Sequence, residues 1–244
     1  MEMKPSDWSD PEELKRTWDG AKVRIPLDAG VVKATMKNLK EIPKNKKFPT
    51  VIYMHGCNGF WRGTDRRVDF LASLKFAAIA PNSFARKKAP TSCEPLNHKG
   101  GMYRPTLIMR QKEAAYAIQE ARNLPWADSE NIYLMGLSEG GITTATFTGE
   151  PVNARIIEGW GCHAGWHEYH GLNAPATEPV LSLVSDKDPW FQNPVLQGDC
   201  GEFMLNDQSE SVVFKSGILR YKHELLEHPE VEKIVRKFLE QQLN

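Results

Sequence analysis

The sequence predicts an α/β fold: a mainly parallel sheet of eight strands with helices on both faces and no large cap. Three observations carry that reading. Strand-like runs alternate with helix-length segments from residue 50 onward. The run Ile132, Tyr133, Leu134 and Met135 is apolar at every residue rather than at every second one, which suits a strand buried on both faces. A glycine-rich corner at 136–141 breaks one of them in mid-chain.

Taken in order, Ser9 followed three residues later by Glu12 has capping-box spacing, and Pro11 suits a first turn, so a helix is expected over about 9–18. The stretches 21–27 and 30–38 read as strands joined by Asp28, Ala29 and Gly30, an antiparallel hairpin at a sheet edge. Strand 50–54, a helix from about 65 to 74, strand 76–80 and a helix near 106–123 follow. Four further strands are expected at 131–135, 155–160, 180–185 and 211–216. Val231, Ile234, Val235, Phe238 and Leu239 then fall at i, i+3, i+4, i+7 and i+8, the apolar stripe of a terminal helix packed on the sheet. No linker-like stretch interrupts the pattern, so residues 1–244 are expected to form one domain.

Lysine plus arginine and aspartate plus glutamate both number 31, which gives no broad attraction to nucleic acid or to an anionic membrane. No apolar run has the length of a membrane span, and MEMKPSDWSD has no signal-peptide core, so a cytoplasmic location is expected. Cys57, Cys93, Cys162 and Cys200 lack zinc-site spacing and are too few for a disulfide scaffold, so they read as free thiols.

The chemistry concentrates at the corner. Ile132, Tyr133, Leu134 and Met135 run into Gly136-Leu137-Ser138-Glu139-Gly140-Gly141, and a short helix can follow. In a strand-turn-helix context G-x-S-x-G is a nucleophile elbow, which presents a serine at the carboxyl end of a strand. A serine hydroxyl needs a base, an acid to orient the base, and donors for the developing oxyanion. The donors are expected from the N–H of Cys57, in the loop His55-Gly56-Cys57-Asn58-Gly59 after an early strand, and from the N–H of Glu139. Asp186 and Asp188 follow strand 180–185, with Asp188 preferred as the acid. His223 and His228 lie between the last strand and the last helix; His223 is preferred as the base and His228 reads as a helix cap.

These residues match a known pattern. HGCNG after the third strand, RQKEAAYAIQEARNLPWADSENIYLMGLSEGG leading into the elbow, VSDKDPWF after the seventh strand and a late histidine together resemble an α/β-hydrolase of the dienelactone hydrolase type, over about Lys22 to Leu243. The resemblance implies Ser138, Asp188 and His223 as the triad, Cys57 and Glu139 as oxyanion donors, and no cofactor. The founding members carry Cys at the elbow and a Glu near the first glycine loop; here Ser138 and Tyr53 stand there, pointing to a serine esterase. The resemblance places Arg86 where the family holds a substrate carboxylate, whereas Leu225, Leu226 and Glu227 occupy the place of its second arginine.

The connection from Cys162 to Pro179 is too short for a large cap, and a site walled by Trp61, Trp160, Trp190 and Phe191 would suit a small or medium ester or lactone. Two other readings stand beside this one. His163, His167 and His170 have the i, i+4, i+7 spacing of one helix face and could bind zinc, although Gly161 and Gly165 oppose a regular helix. A non-catalytic ligand-binding protein could keep the same fold. A dinucleotide enzyme is set aside, because no G-x-G-x-x-G follows the first strand.

Overall fold

The computed structural model describes residues 4–40, 42, 46–89 and 91–243. Helices α1 (Pro5–Trp8) and α2 (Pro11–Asp19) precede the edge hairpin β1 (Lys22–Leu27) and β2 (Gly30–Thr35). The alternating part follows as β3 (Phe48–Met54), α3 (Arg62–Ser73), β4 (Ala77–Ala80), α4 (Thr106–Arg122), β5 (Ala127–Leu137) and α5 (Glu139–Thr146). β6 (Arg155–Glu158), β7 (Val180–Ser185), β8 (Glu210–Phe214) and α6 (Pro229–Gln241) complete it.

The eight strands form one sheet in the order β2-β1-β4-β3-β5-β6-β7-β8. Strand β1 is antiparallel to both neighbours, and every pairing from β4 to β8 is parallel. Successive side chains of a strand point to opposite faces. Val51 and Tyr53 therefore pack with Val68 and Leu71 of α3 and with Val235 and Phe238 of α6. Ile52 and Met54 pack on the other face with Trp18 of α2 and Ala117, Ile118 and Ala121 of α4. Both faces are covered, so the central strands are mostly apolar, and the charged residues buried in β6, Arg155 and Glu158, are paired with Glu178 and Arg67.

The N-terminal expectation is corrected in detail. Two helices stand where one was expected, and Asp10, not Ser9, caps the second by accepting the Glu12 N–H at 2.9 Å. An aspartate directly before Pro11 brings a charged acceptor to the free amides of the first turn.

The cysteines are also corrected. Cys57 is bonded to Cys93 and Cys162 to Cys200, and none is free. Pairs separated by 36 and 38 residues meet only because loops from different strands converge above the sheet, which spacing in the sequence cannot reveal.

Candidate active site

Strand β5 lies between β3 and β6, and its residues 132–137 are buried. Ser138 turns the chain at φ 57° and ψ −118°, a left-handed conformation strained for a residue with a Cβ. It is held there from two sides. Its N–H donates to Glu158 O at 2.8 Å, and its carbonyl accepts from Ile142 N at 2.9 Å, starting α5. The tight corner also demands glycines: a Cβ on Gly136 would sit 2.0 Å from Gly140 O, and one on Gly140 would sit 2.0 Å from Met54 O. The serine hydroxyl consequently opens onto the sheet's carboxyl edge.

A cavity of about 320 Å³ lies there, lined by Ser138, Cys57, Glu139, Trp160, Trp190 and Phe191 among others. Gly100, Gly101, Trp166 and Tyr169 add walls that strand periodicity could not nominate, because they come from long loops. Trp61 does not line the cavity; it is 41% exposed and leans over Gly63 at the start of α3.

The acid and base candidates separate by partner. Asp188 is 2% exposed and accepts the His223 Nδ1–H at 2.7 Å and the Trp190 N–H at 2.9 Å. Asp186 instead faces solvent and pairs with Arg220 at 2.9 Å. His228 caps α6, accepting the Glu230 N–H at 3.3 Å. The His223 ring stacks on Trp190 at 5.2 Å and meets Phe191 edge-on at 5.6 Å, so it stands behind the same aromatic wall. Its buried Nε2 has no hydrogen-bond partner among the described residues.

The loop carrying His223 has an anchor that motif reasoning missed. Glu158, fully buried at the end of β6, accepts the Leu225 and Leu226 N–H groups at 2.7 and 2.8 Å and binds Arg67 through both oxygens, at 2.6 and 2.8 Å. Burial opposes that charge, yet Arg67 and the two amides hold the carboxyl below its ordinary range. A lone glutamate in the apolar run RIIEGW was the visible sign that a partner must exist; which one was not visible. Glu224, 3.2 Å from Arg67 Nη1, is pushed by burial up to about 7. Tyr53 is fully buried beside this group.

The donor loop after β3 is fixed from behind by Arg110, whose Nη2–H donates to His55 O at 2.5 Å. Burial and then the Arg110 charge hold the His55 imidazole well below its ordinary pKa, so this histidine is a neutral structural group. At the start of α5 the Glu139 N–H is one of the amides a helix cannot satisfy internally.

Arg86 is corrected as well. Its guanidinium is buried against Glu113 at 2.6 Å and donates to Asp7 O at 2.9 Å and Trp8 O at 3.3 Å, which ties α1 to α4 away from the cavity. Nor do the three histidines share a helix face. His167 begins a single turn of 3-10 helix, while His163 and His170 pack on each other and on Phe203, and no group of three acidic, His or Cys side chains fit for a metal occurs among the described residues. Among the described residues no helix is long and apolar enough to cross a membrane.

No family profile and no curated protein matches the chain. Solved structures do. A Klebsiella pneumoniae protein assigned as a dienelactone hydrolase superimposes with a TM-score of 0.59 at 21% identity, over 91% of this chain and 98% of that one. A dienelactone hydrolase-like promiscuous phosphotriesterase from metagenomic libraries gives 0.58 at 17%, over 92% and 98%. Est1E of Butyrivibrio proteoclasticus with ferulic acid bound gives 0.57 at 16%, over 91% and 94%. The fold is the α/β-hydrolase fold, of the form seen in dienelactone hydrolase-like proteins.

Proposed function

We propose that the protein is a serine hydrolase of carboxylic esters or lactones. The observation that carries the reading is the strained Ser138 opening into a cavity whose wall, Trp190, stacks on a histidine already hydrogen-bonded to a buried aspartate. In this reading His223 Nε2 takes the proton from Ser138 Oγ as the oxygen adds to the ester carbonyl. Asp188 fixes the ring through Nδ1–H and stabilises the imidazolium that forms. The negative oxygen of the tetrahedral intermediate accepts from the Cys57 and Glu139 N–H groups, each such donor contributing about 3 to 4 kcal/mol. Collapse expels the alcohol, which takes the proton from His223. Water then adds to the acyl-serine with its proton passing to His223, and the carboxylic acid leaves as Ser138 is restored.

The wall composition supports an uncharged acyl group. Among the described residues no lysine or arginine lines the cavity, Arg86 is engaged elsewhere, and Trp160, Trp166, Tyr169, Trp190, Phe191 and Ile142 give it an apolar, largely aromatic surface. A cavity of about 320 Å³ suits a small or medium acid, aliphatic or aromatic. The two disulfides support work in an oxidising compartment rather than in the cytoplasm.

Labelling with a fluorophosphonate followed by peptide mapping tests the reading without a guess at the substrate. Modification of Ser138 in the folded protein, lost on heat denaturation and in His223→Ala, is the expected result. A folded protein whose Ser138 resists the probe would move the assignment to a non-catalytic ligand-binding role.

A further inference from the structure

Both proposed oxyanion donors are tied to two adjacent residues outside the motifs. The Cys57 side chain is joined to Cys93 by a disulfide. The Glu139 carboxyl accepts a hydrogen bond from the hydroxyl of Ser92. Cys57 and Glu139 belong to different elements, the loop after β3 and the first turn of α5, which pack closely at Gly140 and Met54, and Ser92 and Cys93 join the two donor residues through their own side chains. Ser92 and Cys93 are 2% and 5% exposed, and Glu139 is 9% exposed, so these ties are made away from water. The same segment continues into the cavity wall: Ser92 O accepts the Met102 N–H at 2.9 Å, and Glu94 N donates to Lys99 O at 2.8 Å, closing a loop whose Gly100 and Gly101 face the site.

We infer that Ser92 and Cys93 are positioning residues for the oxyanion hole, a two-residue brace that sets the spacing between the Cys57 and Glu139 amides. The proposal rests on the serine-hydrolase reading. Donors that stabilise developing charge must be in place before the reaction, because their value lies in needing no reorganisation. Arg110 fixes the glycine-flanked loop at His55 O, and the disulfide adds a covalent link from the donor residue itself to a buried segment. The Ser92 hydroxyl does the corresponding work at Glu139, where burial pushes the carboxyl up and Arg110 and Ser92 partly offset the rise. The brace also makes activity sensitive to reduction, since opening Cys57–Cys93 frees one donor while leaving Ser138, His223 and Asp188 in position.

The experiment compares the wild type with Ser92→Ala and with Cys57→Ala/Cys93→Ala, using p-nitrophenyl butyrate for kcat and KM and a fluorophosphonate for the labelling rate of Ser138. The expected result is a fall in kcat of about tenfold in each variant with KM within about twofold, below the loss for outright removal of a donor. Labelling slows in parallel, because the phosphonyl oxygen uses the same donors. Dithiothreitol lowers the wild-type kcat and leaves Cys57→Ala/Cys93→Ala unchanged; if that double variant fails to fold, Ser92→Ala and the reduced wild type carry the test. Wild-type kcat in Ser92→Ala together with an active enzyme after reduction overturns the brace alone. So does a raised KM at constant kcat, which would put the segment in substrate binding. A wild type with inert Ser138 overturns the hydrolase reading and the brace with it.

Discussion

At the scale of single residues, the charged side chains buried around the site divide into those that hold loops and those that line the cavity, and burial alone does not tell them apart. Arg86 belongs to the first kind. Truncating it strands the Glu113 carboxylate in the interior, which costs about 3 kcal/mol, at the lower end for a broken buried pair because Ser83 still donates to Glu113. Arg86→Ala is therefore expected to lower Tm by about 6 to 12 °C while KM for neutral esters stays as in the wild type. A changed KM with an unchanged melting curve would restore the substrate role that the motif suggested. Glu224 carries a pH signature. Its carboxyl is at about 7 in the folded chain against an ordinary 4.5, mainly through burial, so between those values the folded chain holds a proton that the unfolded chain has released. Stability then falls as pH rises through that window, at no more than about 1.4 kcal/mol per unit, and the side chain's partial exposure reduces it further. Glu224→Gln should match the wild type near about pH 4 and exceed it near about pH 8 in thermal unfolding. Equal pH slopes for the two proteins would contradict this.

At the scale of elements, the parallel strands deliver their carboxyl ends to one edge, and the long loops that leave them must be held in register. Glu158 does this for the His223 loop through two amides. The Cys162–Cys200 disulfide does it for the wall, joining the segment after β6 to the one before β8. A bond closing a loop of this length contributes about 2 to 4 kcal/mol, chiefly by restricting the unfolded chain. Cys162→Ser/Cys200→Ser is accordingly expected to melt about 10 °C lower with kcat unchanged, since neither cysteine lines the cavity. Calorimetry beside a rate assay checks it, and an unchanged Tm would mean that the loops hold one another without the bond.

At the scale of the whole molecule, the cysteine pairing sets the conditions under which the fold is complete. Both links lie around the proposed site and join segments far apart in the chain. Protein matured under oxidising conditions and then unfolded is expected to show none of its four cysteines to a thiol reagent. Four reactive thiols in a fully active preparation would contradict both the oxidising compartment and the brace.

The sequence by itself determined the alternation of strands and helices from β3 onward, because a strand buried on both faces is mostly apolar and a helix on a sheet carries one apolar stripe, while the two helices at the N-terminus read as one. It also singled out Ser138, since a serine between two glycines at the end of such a strand has few other geometries available. It narrowed the acid to Asp186 or Asp188 and the base to His223 or His228. Partnership is what favours one of each pair in the proposed mechanism: Asp188 is buried against His223, Asp186 is drawn out to Arg220, and His228 is spent on the α6 cap. Tertiary structure alone decided the rest. Arg86 found Glu113, the cysteines found one another, Arg67 found Glu158, and the walls came from loops that no period describes. The physical reason is common to these cases. Hydrophobic periodicity is a local property of the chain, whereas the partner of a buried charge or thiol is set by which distant segments the sheet brings together.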